Sequence, residues 1–212
     1  MAPLNDVLNV WVGPANDPSA AKPVTNDKKR GIRSYFWSYT SKHILYVQDL
    51  DGDENWHVYA VDLETNTTKD LTPIKGVAAH INATSWRFPN EILVGLNDRD
   101  ERYHDVYRVN IETGERTLVE KNEQEFAGYV IDEDYRIRFA QRMTDDGGEQ
   151  YFQKDGDQWK PFDKVPASDT MTTGLAGFDK TGNILYMTDS RDRNTGALFS
   201  VDLTTGAKKL IA

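Results

Sequence analysis

The sequence predicts an all-β chain, a β-propeller segment of about four complete four-stranded blades preceded by a partial N-terminal blade. Three observations predict it: a self-similar unit of about 46 residues, period-two alternation within each unit, and a near absence of helical periodicity. No segment sustains apolar residues at i, i+3, i+4 and i+7 over three turns, and Gly, Pro, Asn and Asp interrupt every long window.

The repeat is anchored twice per unit. Ile44-Leu45-Tyr46-Val47 recurs as Ile92-Leu93-Val94-Gly95, Ile137-Arg138-Phe139-Ala140 and Ile184-Leu185-Tyr186-Met187, at successive spacings of 48, 45 and 47 residues. Downstream, Val58-Tyr59-Ala60-Val61-Asp62-Leu63 matches Val106-Tyr107-Arg108-Val109-Asn110-Ile111 and Leu198-Phe199-Ser200-Val201-Asp202-Leu203. The third unit is degenerate there, with Gln150–Gly156 in its place. Repeats of this length built from four short strands are propeller blades.

The elements follow in order. Residues 1–31 form the partial blade, and the complete blades cover 32–79, 80–124, 125–170 and 171–212, one continuous propeller fragment. In the first complete blade the strands are expected at Ile32–Trp37, His43–Gln48, Trp56–Asp62 and Thr67–Leu71. Turns separate them at Thr113-Gly114 and Thr205-Gly206, where Gly accepts positive φ, and at Thr65-Asn66, where Asn tolerates it. Val7–Val12 and Pro23–Thr25 read as the last two strands of a blade whose first two are missing. Ala207–Ile211 reads as the last strand of a full blade, so no spare strands remain to complete the first, and the chain reads as a piece of a larger protein. An open run of blades exposes a flank, which predicts a dimer through that flank or marginal stability.

Composition removes several functions. The net charge of −9 offers no basic surface for nucleic acid, and Lys28-Lys29-Arg30 reads as a solvated turn. No apolar run approaches the roughly 18 residues of a membrane helix. No secretory signal is read at the start, and the compartment, cytoplasmic or periplasmic, stays open. Cysteine is absent, which excludes disulfides, thiolate nucleophiles and Cys-ligated zinc.

The richest polar segment runs from Asp49 through Asp51, Asp53, Glu54 and Asn55 to Trp56. Counted from Asp51, Trp56 stands where a helix-flanked calcium loop needs Gly, so a solvated hairpin tip is the better reading. Charged tips recur at Asn97–Arg102, Thr144–Gly148 and Asp189–Arg193, each between the second and third strand of its blade. Equivalent loops of a propeller emerge on one face, so these tips are expected to ring one mouth of the channel, although wetness alone also explains their polarity. The four histidines lack ligand spacing and are expected at the surface or half-buried on strands. No serine lies in a G-x-S-x-G elbow. Trp37, Trp86 and Phe178 occupy matching places and are expected to pack between blades. No catalytic residue, metal site or cofactor is predicted.

Ser34-Tyr35-Phe36-Trp37, His43–Asp49, Gly52–Trp56, Leu71-Thr72-Pro73, Glu91–Asp100 and His104–Asn110 resemble the propeller of bacterial prolyl-oligopeptidase-family serine peptidases. The resemblance is to the dipeptidyl aminopeptidase and acylaminoacyl-peptidase branch and covers roughly Leu8 to Ile211. It implies a parent in which an α/β-hydrolase domain carries the Ser-Asp-His triad and the propeller restricts entry to short peptides. This chain lacks the hydrolase domain, so no catalytic residue carries over. Among tip residues, Asp49, Asp51, Asp53, Glu54, Asn55, Arg99, Asp100, Arg191 and Arg193 are the substrate-gating candidates. Two other functions compete. A stand-alone interaction platform predicts a closed ring and is opposed by the missing half-blade. A calcium-dependent propeller enzyme would carry its carboxylates on inner strands, whereas here they concentrate in tips.

Overall fold

The computed structural model describes residues 1–212 and is almost entirely β. It divides into two compact units, Met1–Asn122 and Glu123–Ala212. The first unit opens with two short sheets: β1 (Ala2–Leu4) pairs with β2 (Val7–Asn9), and β3 (Trp11–Val12) with β4 (Lys22–Pro23). Two four-stranded antiparallel blades follow. The first is β5 (Tyr35–Trp37), β6 (His43–Gln48), β7 (His57–Asp62) and β8 (Thr67–Asp70); the second is β9 (Ala79–Thr84), β10 (Glu91–Asp100), β11 (Tyr103–Asn110) and β12 (Arg116–Glu120). The second unit holds two more. The third blade is β13 (Gly128–Ile131), β14 (Ile137–Met143), β15 (Glu149–Asp155) and β16 (Gln158–Val165), and the fourth is β17 (Gly174–Phe178), β18 (Ile184–Asp189), β19 (Ala197–Asp202) and β20 (Lys208–Leu210). Each pairs in chain order, so the expected propeller segment is present.

The N-terminal segment differs in detail from the expected pair of strands. Val7–Val12 is broken at Val10, because side chains replace the ladder there: the Val10 amide donates to Thr25 Oγ1 at 2.9 Å, and Asn9 Oδ1 accepts from Thr25 Oγ1 and the Asp27 amide. Ala2–Leu4 adds a strand that the sequence reading passed over. A single 3-10 turn at Pro18–Ala20 starts on Asp17, whose Oδ1 accepts the Ser19 amide.

Central strands are apolar on both sides. In the first blade, Phe36, Leu45 and Ala60 align across the strands, and with Val47 and Val58 they face Val77, Ala79, Ile92, Val94 and Ile111 around the second blade. One residue along, Tyr35, Tyr46 and Tyr59 align, and with Ile44 and Val61 they pack against Val10 and Ile32. The rings of Tyr46 and Tyr59 stack at 5.0 Å. Burying each large apolar side chain stabilises the fold by about 1.5–3 kcal/mol. The alternation separates two packed faces, not a packed face from a wet one.

The same logic builds the second unit. Phe139, Leu185, Met187 and Val201 form its core with Phe162, Leu175 and Phe178. The opposite face of the third blade gathers Phe126, Ala140 and Phe152 with Tyr129 and Trp159. β16 tolerates Pro161 because it is an edge strand and the register shifts there. Of the three matching aromatics, only Phe178 packs as expected. Trp37 and Trp86 are 52% and 61% exposed, because they stand at and beyond the ends of β5 and β9, past the sandwiched stretch.

Candidate functional site

The four polar tips join the second and third strands of their blades, as β6–β7, β10–β11, β14–β15 and β18–β19 connections. The same position recurs at the root of each. Five residues after the repeat's isoleucine stand Asp49, Asn97, Arg142 and Asp189. Asp49 and Asp189 are both 5% exposed, and each meets a cation: Arg30 Nε lies 3.4 Å from Asp49 Oδ1, and Asp189 takes Arg191 and Lys208. Asn97 does the equivalent work neutrally, accepting the Ala78 amide at 2.6 Å and donating to the Glu101 carbonyl at 3.0 Å. The sequence carried this signal as a fixed offset, although polarity alone suggested only wet loops.

The first tip is self-organised. Asp53 Oδ1 accepts the Leu50 and Asn55 amides, both at 3.1 Å, and Asn55 Nδ2 donates to its Oδ2; that side-chain bond leads the causes holding Asp53 below the usual carboxylate range. Asp51 pairs with Lys29 at 2.6 Å. Gly52 has φ +90, a conformation that favours glycine, and the end of the Arg30 side chain lies against it. Glu54 adopts φ +61 at the apex, exposed, with its carboxylate making no protein contact.

Arg99, one of the candidates at the second tip, is a tie. Its Nε and Nη2 hold the Asp105 carboxylate at 2.8 and 2.7 Å, and Nη2 also donates to the Asn122 carbonyl at 2.7 Å. Burial opposes ionisation of Asp105, yet Arg99 and the Asn122 amide keep it below the usual carboxylate range. Asp100 pairs with Arg102 at 3.2 Å.

In the fourth tip, Arg191 grips Asp163 through Nη1 and Nη2, each at 2.8 Å, and Asp189 through Nε at 2.9 Å and Nη2 at 2.8 Å. The Arg191 bond leads the causes that hold Asp189 well below the usual carboxylate range. Arg193, two residues on, is exposed and its guanidinium makes no protein contact. Thus, among the nine candidates, the charged groups of Glu54 and Arg193 have neither a hydrogen bond nor an ion pair, while Arg99 and Arg191 brace their hairpins.

No group of three or more His, Asp or Glu side chains is placed to hold a metal ion. His43 corrects the expectation of surface or half-buried histidines: it is 5% exposed, with Nδ1 3.0 Å from Thr40 Oγ1. His57 Nδ1 meets Asp70 at 2.7 Å, and His80 meets His104 edge-on with ring centres 4.5 Å apart. These contacts use the four rings structurally.

No protein-family model matches the chain. Over its whole length it is 47% identical to dipeptidyl aminopeptidase BIII of Pseudoxanthomonas mexicana, of which it covers 31%. Over 92% of its length it is 24% identical to dipeptidyl peptidase family member 6 of Caenorhabditis elegans, of which it covers 28%. The chain therefore spans less than a third of each of these curated relatives. Oligopeptidase B from Trypanosoma brucei superposes on 97% of the chain with a TM-score of 0.62 at 14% identity, and that likeness shows the fold. Repeat and blades define a β-propeller segment, and its sequence is similar to part of a dipeptidyl aminopeptidase.

Proposed function

We propose that this segment gates its parent peptidase: it admits short peptides and holds a peptide terminus with charged groups at the hairpin tips, with no turnover by itself. The unpaired carboxylate of Glu54 carries the reading. At the apex of a tip whose other carboxylates are held by hydrogen bonds or ion pairs, Glu54 leaves its carboxylate free for an ammonium. Arg193 supplies the opposite charge on the fourth tip. The partner is the α/β-hydrolase domain of the parent, and Leu210 and Ile211, both about half exposed, offer apolar area to a second copy.

The test uses the parent protein. Glu54→Gln is expected to raise KM for peptides with a free N-terminus, by about tenfold, the size of one lost charged contact, with N-acetylated peptides unaffected. Equal kinetics on free-N-terminus peptides would dismiss the role. This chain incubated with a chromogenic dipeptide is expected to release no chromophore, and a measurable rate would overturn the non-catalytic reading. Light scattering distinguishes the dimer from a monomer.

A further inference from the structure

Arg142 breaks the pattern at the tip roots. Where Asp49 and Asp189 meet cations and Asn97 satisfies backbone groups, the third blade places a guanidinium, at the end of β14 opposite Gln150. It lies over two rings, Phe126 at 5.4 Å and Phe152 at 5.0 Å, which are 3% and 8% exposed. Three other arginines of the tips are neutralised, Arg99 by Asp105, Arg102 by Asp100 and Arg191 by Asp163 and Asp189, and Arg193 stands in solvent with no ring beneath it. Arg142 has no ion pair and no hydrogen bond to the protein, and its Nε is buried with no acceptor.

Cation–π contact fixes the plane of a guanidinium without consuming its N–H groups. With Nε against the apolar wall, the two terminal nitrogens remain a pre-organised fork of the width that a planar anion matches. A buried donor atom on a charged group without a protein partner calls for an explanation, and a ligand held by the rest of the guanidinium supplies one. Asp145, Asp146 and Glu149 on the same hairpin disfavour a dianion and leave a singly charged carboxylate as the better fit.

We propose that Arg142 anchors a carboxylate of a bound peptide. The carboxylate chemistry stands on the geometry, while its arrival on a peptide rests on the gating function above.

The experiment follows the Arg142 Nε–Hε resonance of this chain during titration with an acetylated dipeptide acid. The controls are the C-terminal amide of that dipeptide, an amide peptide carrying an Asp side chain, and inorganic phosphate. The dipeptide acid is expected to shift the resonance saturably and the plain amide to leave it in place. Binding of the Asp peptide extends the site to side-chain carboxylates, and its absence restricts it to the terminus. Arg142→Gln is expected to abolish binding and Arg142→Lys to weaken it by about tenfold, since an ammonium cannot form the fork. If Arg142→Gln lowers the melting temperature, the acid–amide contrast on the unaltered chain and Arg142→Lys decide. Equal shifts by acid and amide, tighter binding of phosphate, or unchanged affinity in a folded Arg142→Gln would overturn the proposal. In the parent, Arg142→Gln is expected to lower kcat/KM for short peptide acids. Carboxylate binding without that fall keeps the anion site and removes the gating reading.

Discussion

Arg99 reaches back across the β10–β11 hairpin to grip Asp105 with two parallel hydrogen bonds, at 2.8 and 2.7 Å, and Asp105 is 1% exposed. The same guanidinium holds the Asn122 carbonyl, which fixes the chain as it leaves β12.

Arg99→Ala is therefore expected to destabilise the fold by about 2–3 kcal/mol, because it leaves a buried carboxylate with fewer partners. A melting temperature lower by about 5–10 °C in calorimetry would correspond. Arg193→Ala, at an exposed and unpaired tip position, is expected to change it by less than about 2 °C. Equal shifts in the two variants would refute the bracing role of Arg99.

The Asp189 carboxylate, gripped by Arg191 and Lys208, is held well below its ordinary range. A depressed native pKa gives stability that is complete above the unfolded value of about 3.9 and disappears as pH falls through the native value. Urea midpoints of the wild-type chain should thus decline from about pH 4 downward. Asp189→Asn should start lower at neutral pH and show a shallower decline over that window. A variant whose acid limb is as steep as that of wild type would exclude Asp189 as its source.

Phe139 is fully buried, edge-on to Phe162 at 4.8 Å and stacked with Phe178 at 6.0 Å. Phe139→Ala is expected to cost about 3–5 kcal/mol. Near-UV circular dichroism should lose intensity at the same time, since three coupled rings lose their fixed packing. Phe139→Leu should recover more than half of the stability.

Gly148 begins the return from the third tip, and a Cβ there would stand 2.6 Å from the Val165 carbonyl oxygen. Backbone cannot swing aside as a side-chain end can, so Gly148→Ala is expected to cost about 1–3 kcal/mol. Denaturant unfolding measures it. A neutral result would mean that β15 and β16 separate freely at that end.

Much of the fold was legible because the repeat and the alternation are local. β6 spans His43–Gln48, the residues that the apolar pattern marks, since each must face a neighbour on one side or the other. The break at Val10 was not legible: it depends on Asn9 and Thr25 taking over backbone bonds across 15 or more residues. The tips were found as tips, but which of their charges stay free was hidden. Arg99 finds the Asn122 carbonyl 23 residues away and Arg191 finds Asp163 28 residues away, and polarity cannot distinguish a brace from a free group. Burial of Asp49 and Asp189 escaped for the same reason. The exposure of Trp37 and Trp86 shows the converse limit, since size and apolarity do not say where a strand leaves its neighbours.

Because the first blade is apolar front and back, the segment that can be exchanged intact is the junction between sheets. Transplanting residues 32–79 would bring two oily surfaces to face strangers, one shaped for Val10 and Val24 and the other for Ile92 and Val94. A chimera cut down the middle of the first blade would keep each matched pair of surfaces together and graft only across hydrogen-bonded backbone, which is alike in every sheet.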